Sequence, residues 1–385
     1  MATIYLDHNA TTPTREEVVD AMARCWRDGH ANAASQHQAG QEARRVLERA
    51  REQIAAVLGA TLSGPQADRL VLTSGGTESN NLAILGIARA RPAETPGQIV
   101  ISAIEHASVI EPAEWLLEQG WRLDTLEVNR EGVVRVDRLA PLLTRSSRLV
   151  SVLLGNHETG AIQPVGDLAP ICNAAGVPLH TDAIQVAGKL PVDFRRLGVA
   201  AMSVAAHKFQ GPLGIGALIV RHDVGLAPLL FGGHQQEGLR PGTEPVALAV
   251  GMATALVLWQ NEWASHARRL TALRERFESW LKVGYAGLVI NSAATERLPQ
   301  TSSIAFPGLD AQILLVALDM AGVACSVGSA CSSGSTELSP TLLAMGLPKP
   351  IVASTLRFSL GATTTEAQID EAVRQILYVV GELRN

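Results

Sequence analysis

The sequence predicts an α/β protein: a mostly parallel sheet covered by helices, followed by a smaller α+β body. Between about residues 70 and 220, short β-branched runs alternate with helical stretches, the pattern of strands joined by crossover helices. Those runs are apolar nearly throughout, as strands buried on both faces require. After residue 246 the alternation gives way to a long helical pattern and then to short strands.

Taken in order, strands are expected at Arg69–Thr73, Gln98–Ser102, Leu149–Leu154, Val177–Thr181, Ala201–Ala205 and Gly216–Val220. Helices are expected between them at Ser79–Ala90, Val109–Gln119 and Val165–Ala175. The helical pattern through Leu270 and Leu281 precedes strands near Leu288–Asn291 and Ser302–Phe306, and a last helix near Glu366–Gly381. The 385 residues suffice for two or three domains of about 150 residues. A core of that size needs neither disulfides nor metals.

Composition excludes several classes of function. With 47% hydrophobic and 18% charged residues the chain is globular rather than disordered. A formal charge of -5 supplies no basic field for nucleic acid or anionic lipid. The longest nearly apolar run, Val246 to Trp259, is too short for a comfortable membrane span. The opening MATIYLDHNATTP has no basic region leading into an apolar stretch, and Asp7 falls where that stretch would be. A soluble, cytoplasmic protein with no membrane or direct nucleic-acid partner is expected. The cysteines at 25, 172, 325 and 331 form no disulfide framework and no Cys-x-x-Cys pair, so no metal site is expected.

Ligands in folds of this class collect at the carboxyl ends of the strands. The first candidate there is LTSGGTESNN, Leu72 to Asn81. Glycines such as Gly76 let a ligand approach the backbone, Thr77 adds a hydroxyl, and the helix start offers unpaired N–H groups to an anion. An ordinary capped turn uses the same residues. The second is HTDAIQ, His180 to Gln185, where Asp182 could hold a cationic ring nitrogen protonated; a helix-capping Asp is the plainer alternative. His180 reads as a packed, hydrogen-bonded histidine. The third is SVAAHKFQGPLGIG, in which Lys208 follows a small-residue strand and could form a Schiff base. A phosphate cup, then a strand-end Asp, then a strand-end Lys are the three contacts that pyridoxal phosphate requires.

The fourth candidate is CSVGSACSSGS, Cys325 to Ser335. Cys331 sits in a polar Gly/Ser stretch rather than an apolar stripe, which marks a candidate nucleophile. Cys25, Cys172 and Cys325 lie in apolar patterns and read as packed. A Cys325–Cys331 disulfide is the alternative, and it would silence that segment.

Together these residues resemble the cysteine desulfurases, pyridoxal-phosphate enzymes of the aminotransferase-like fold. The match runs from YLDHNATTP to RFSLG at Arg357 and includes TSGGTESNN, EHASV, NHETG, HTDAIQ, AHKFQGP and GSACSSGS in the family's order. The long Gly/Ser segment around Cys331 is similar to group I of the family. The resemblance implies a large cofactor-binding domain over 16–255, and a small domain of 1–15 and 256–385 that carries the catalytic cysteine. It makes Lys208 the Schiff-base lysine and sets Asp182 against the pyridinium nitrogen. His106 stacks on the ring and moves protons, while Asn156 and Gln185 address the ring hydroxyl. Gly76, Thr77 and His207 hold the phosphate, and Thr243 reaches the phosphate of a second subunit, implying a homodimer. Arg357, with Asn156, binds the substrate, its planar fork suiting a carboxylate. The implied reaction turns L-cysteine into L-alanine, with Cys331 taking the sulfur as a persulfide for an acceptor protein.

The sequence departs from the family pattern at several positions. Ala205 stands where many relatives have a phosphate-binding Ser, a loss worth about 1.5–3 kcal/mol of cofactor affinity. Leu213 replaces a cation, His234, Gln236 and Glu237 replace Gly, Glu and Arg, and HANAASQH lacks the usual Pro-Ser. The scaffold-docking tail of some relatives is not evident after Asn385. The acceptor is therefore open among iron–sulfur cluster assembly, tRNA thiolation, DNA sulfur modification and cofactor synthesis. Two competing readings are a selenocysteine lyase or related β-eliminating lyase, less dependent on Cys331, and a weakly catalytic sulfur-relay protein.

Overall fold

The computed structural model describes residues 3–90, 96–328 and 338–384. In chain order its strands are β1 (Ile4–Tyr5), β2 (Arg69–Thr73), β3 (Gln98–Ser102), β4 (Arg122–Leu126), β5 (Ser147–Ser151), β6 (Leu179–Asp182), β7 (Ala201–Ala205), β8 (Gly216–Val220), β9 (Val289–Ile290), β10 (Thr301–Ala305), β11 (Val323–Ala324) and β12 (Thr355–Ser359). Seven of them form one sheet in the order β2-β8-β7-β6-β5-β3-β4. Every neighbouring pair is parallel except those of β8, which runs antiparallel to both β2 and β7. The α/β class with a mostly parallel sheet is thus the observed one.

Four of the six expected strands keep their expected bounds, and the other two shift for physical reasons. Strand β6 starts at Leu179 because Pro178 has no N–H to give the ladder. Strand β5 ends at Ser151, yet the Val152 and Leu154 N–H groups still donate to the His180 and Asp182 carbonyls at 3.1 and 2.9 Å. The edge strand β4, RLDTL, was not expected, since its charged, half-exposed pattern reads as loop. Two amphipathic helices precede the sheet. Glu16–Arg27 buries Val18, Met22 and Cys25, and Gln38–Val57 buries Ala43, Leu47, Ala50 and Ile54, both at helical spacing.

A second body has its own core. Strands β12-β10-β9 form an antiparallel sheet, and β1 pairs in parallel with β11, so the first residues join the last quarter of the chain. The helix Val246–Gly284 gives Ala249, Met252 and Leu256 to the core beneath the main sheet, and Leu273, Phe277 and Leu281 to the second core. There the Phe277 and Phe358 rings meet edge to face, 5.1 Å apart. Among the described residues no helix is long and apolar enough to cross a membrane.

Candidate active site

The carboxyl ends of β5, β6 and β7 open on a cavity of about 240 Å3. Its wall brings together eight of the sequence candidates: Gly76, Thr77, His106, Asp182, Gln185, His207, Lys208 and Arg357.

One end is made of backbone. The chain leaves β2, turns at Ser74–Gly75 and starts the helix Gly76–Arg89. The turn is fixed by its own side chains: Ser74 N–H donates to Glu78 Oε2 at 2.6 Å, and Thr73 Oγ1 lies 2.7 Å from Ser79 Oγ. A Cβ on Gly216 would stand 2.7 Å from both the Gly75 carbonyl carbon and the Val204 carbonyl oxygen, and one on Gly76 would strike Ile184. Only glycines allow this close approach, and the first helical residues, Gly76 and Thr77, line the cavity, where the unpaired N–H groups of a helix start suit an anion. Ala205 lines the same end and offers no hydroxyl.

His207 and Lys208 follow β7 in a short 3-10 turn. His207 Nδ1 lies 3.1 Å from Thr11 Oγ1, and burial beside Lys208 and Lys189 lowers its pKa to about 4, so the ring is neutral. Lys208 Nζ donates to the carbonyls of Asn9 and Ala10 at 2.7 and 2.8 Å. At the end of β6, Asp182 accepts from Asn80 Nδ2 at 2.7 Å and from Ile184 N–H at 2.9 Å. Burial raises its pKa, although His106 and Lys208 nearby pull the other way. A cation placed against that carboxyl would relieve the burial cost. His106 caps the helix Ala107–Glu118, its Nδ1 accepting from Ser108 N–H at 3.0 Å. In the neutral ring this leaves the proton on Nε2.

The facing wall is built from distant segments. Arg357, on β12 and only 2% exposed, donates from Nη2 to Asp7 Oδ1 at 2.6 Å and from Nη1 to the His157 carbonyl at 3.1 Å. Its buried Nε–H has no hydrogen-bond partner among the described residues, which leaves a donor for a carboxylate. Ser326 exchanges two backbone hydrogen bonds with Arg357, at 3.1 and 2.6 Å. Glu158 accepts from Ser339 Oγ at 2.6 Å, and a Cβ on Gly328 would stand 2.7 Å from Glu158 Oε2. Residues flanking 329–337 on both sides thus meet one buried carboxyl, whose pKa burial raises. Cys331 itself lies outside the described residues.

Two candidates do not reach the cavity. Asn156 is fully buried behind its wall, where its Oδ1 accepts from Glu158 N–H and Thr159 N–H at 2.9 and 2.8 Å and its Nδ2 donates to the Ile104 carbonyl. The amide is occupied in shaping the NHETG turn. Thr243 lines a separate surface depression with Cys25, Trp26 and Asn32. His180 bridges β5 and β7 through Ser151 Oγ and Ser203 Oγ, both at 2.9 Å, and burial depresses its pKa to about 3; it is a packed residue, as expected. Cys25 and Cys172 are buried and Cys325 packs on the second core. Burial raises the Cys172 thiol to about 12.

Sequence reasoning missed Asp7, Asn9, Asn80, His157 and Lys189. Four lie inside or beside quoted motifs, so the signal was present. Their roles depend on contacts no spacing reveals. His157 stands edge-on to His106, ring centroids 5.3 Å apart, and burial pushes its pKa well down.

The donor set fits pyridoxal phosphate: helix N–H groups for a phosphate, a buried carboxyl for a ring nitrogen and an amine beside it. Comparison with known proteins agrees. The class-V aminotransferase family model matches residues 4–372. An IscS-like cysteine desulfurase of Mycobacterium tuberculosis is 40% identical over 386 residues, covering 99% of this chain and 97% of that protein. The cysteine desulfurase IscS of Dictyoglomus turgidum is 38% identical over 382 residues, covering 99% and 95%. The crystal structure of a NifS-like protein from Rickettsia africae superposes with a TM-score of 0.89 at 31% identity, covering 98% of this chain and 99% of that one. The fold is that of the class-V aminotransferases, an enzyme class that works with pyridoxal 5'-phosphate. Within that class, the chain belongs to the cysteine desulfurase family.

Proposed function

We propose that this enzyme converts L-cysteine to L-alanine and loads the sulfur on Cys331 as a persulfide for an acceptor protein. The observation that supports this most is the pairing, in one cavity, of the Asp182–Lys208 group with an Arg357 that keeps a donor for a carboxylate. The cofactor, when bound, supplies an electron sink for the substrate's α-carbon. Gly76, Thr77 and His207 would hold its phosphate, Asp182 its ring nitrogen and Gln185 its ring hydroxyl. Asn156 supports that wall through the turn it pins.

Arg357 would grip the substrate carboxylate with its planar fork. Lys208 carries the proton on and off the α-carbon, and His106 Nε2 serves the second proton position. The Cys331 thiolate, the competent form, attacks the substrate sulfur. The carbon–sulfur bond breaks, a sulfur–sulfur bond forms, and carbon gains the hydrogen that cysteine's sulfur loses. No external oxidant is needed. Support for the Cys331 role comes from its described neighbours: Gly328 and Ser339 both meet Glu158, and Ser326 is bonded to Arg357.

The same reading makes Thr243 a contact to the cofactor phosphate of a second subunit, hence a homodimer, in a cytoplasmic enzyme. It also divides the chain into a body of 16–255 and one of 1–15 with 256–385, with the helix Val246–Gly284 running through the division. The test is mass spectrometry of the cofactor-loaded protein after L-cysteine is added without reductant. One added sulfur on the Cys331 peptide, with alanine formed, is the expected result. Alanine or pyruvate without that adduct would indicate a lyase, and no product a relay protein. Cys331→Ala should keep the yellow colour and release no sulfide.

A further inference from the structure

Behind Lys208 lies a smaller cavity of about 50 Å3, bordered by His8, Lys189, Lys208, Trp259 and Gln300. The proposed chemistry uses neither this cavity nor Lys189, which follows Gln185 by four residues. Lys189 Nζ donates to Gln185 Oε1 at 2.8 Å and to the Gln185 carbonyl at 3.1 Å. The far side of the same amide, Nε2, donates to the Asn9 carbonyl at 2.9 Å. That carbonyl also receives Lys208 Nζ at 2.7 Å. A single hydrogen-bonded line therefore joins the two lysines through one side-chain amide and one backbone carbonyl. Turned over, the Gln185 amide would set its NH2 against an amine donor and its oxygen against a carbonyl, losing both bonds.

We propose that Lys189 is a positioning residue: it fixes the Gln185 amide and, through the Asn9 carbonyl, the place of Lys208, without touching substrate or cofactor. This rests on the assignment of Gln185 and Lys208 to the cofactor. Burial and the charges of Lys208 and Arg357 push the Lys189 amine well below its ordinary pKa. His8 and His207 also face it, and burial holds both near 4, so neither adds charge at neutral pH. A lysine kept in such surroundings needs a reason, and the amide it orients supplies one.

The experiment compares wild type, Lys189→Met, Lys189→Arg, Gln185→Ala and the Lys189→Met/Gln185→Ala double variant, each loaded with pyridoxal phosphate. The readout is the pH midpoint of the cofactor's visible absorption, with thermal midpoint measured beside it. Lys189→Met should stay yellow and shift that midpoint upward by about 0.5–1 pH unit, since the donor that orients and polarises the Gln185 amide is lost. Lys189→Arg should return it towards wild type. In the Gln185→Ala background, Lys189→Met should add no further shift, because the coupling runs through the amide. A Lys189→Met protein titrating as wild type, or shifting equally with and without Gln185, would overturn the inference; a thermal effect alone would too. If Lys189→Met does not accumulate folded, Lys189→Gln carries the same comparison. A wild type that cannot take up the cofactor would instead defeat the functional reading itself.

Discussion

The two walls of the cavity are assembled over very different lengths of chain. The wall proposed for the cofactor comes from strand ends of one sheet, where Gly76, Asp182 and Lys208 each sit at the exit of a strand or in the first turn after it. The wall proposed for the substrate is stitched across the molecule: Asp7 to Arg357, Asn9 N–H to Ser359 Oγ at 2.9 Å and Asn9 Nδ2 to Thr301 Oγ1 at 2.8 Å. A sheet edge fixes the first wall locally. The second exists only while the two bodies are docked, so cofactor binding and substrate binding should respond differently to damage.

The largest effect is expected on the cofactor wall. Lys208→Ala should lower turnover by about a thousandfold or more, with a far-ultraviolet spectrum like wild type, because the carbonyls of Asn9 and Ala10 that its amine reaches lie in a turn rather than in a strand or helix. Arg357→Lys should act on the other wall. It keeps a charge for Asp7 but loses the fork, so KM for L-cysteine should rise about tenfold or more while the cofactor spectrum is preserved. Equal loss of cofactor in both variants would erase the distinction drawn between the walls.

A smaller effect concerns pH and the apoprotein. Burial, helped by the Asp182 charge, raises the Glu105 carboxyl to about 8, against the bonds from Ser102 Oγ and Leu153 N–H. A carboxyl raised on folding stabilises fully below its unfolded value near 4.5, and that stability is lost as pH rises through about 8. Asp182 and Glu158 are shifted in the same direction. Burial lowers the pKa of His8, His157, His180 and His207, which acts in the opposite direction in wild type and Glu105→Gln alike. The expected outcome is therefore a difference: in a calorimetric series of the apoproteins, Glu105→Gln should lose less stability than wild type between about pH 5 and pH 8.

The smallest effect lies at the sheet edge. Gln236 has φ of 51° and Glu237 of 60°, a left-handed pair without glycine. The Gln236 amide offsets that cost by pairing with the backbone of edge strand β2, accepting from Leu72 N–H at 2.7 Å and donating to the Leu72 carbonyl at 2.9 Å. Gln236→Ala should cost about 1–2 kcal/mol in denaturant unfolding and leave cofactor binding alone.

The same contrast explains what could be read in advance. Strands β2, β3, β7 and β8 and the strand-end residues Asp182 and Lys208 were legible, because apolar runs and the motifs after them are local. The pairing of β1 with β11, the Asp7–Arg357 ion pair and the Lys189–Gln185 contact were not, since each joins residues whose relation only the folded chain defines. Asn156 shows a structural duty that spacing does not reveal. Its motif was recognised, and the structure adds that its amide oxygen holds the turn that the motif forms. Gln236 was noticed only as a departure from the family, whereas the structure gives it an edge strand to cover.

The pairing of β1 with β11 also sets a timetable for synthesis. Residues 4–9 leave the ribosome long before Val323 and Ser359 exist, an interval of roughly 15–60 s at usual elongation rates. Through that time the Asn9 carbonyl, which receives both Lys208 and Gln185, cannot settle into its final place. The strands of the main sheet, β2 to β8, are all made by Val220, but the carbonyl that receives Lys208 locks only once nearly the whole chain has been made.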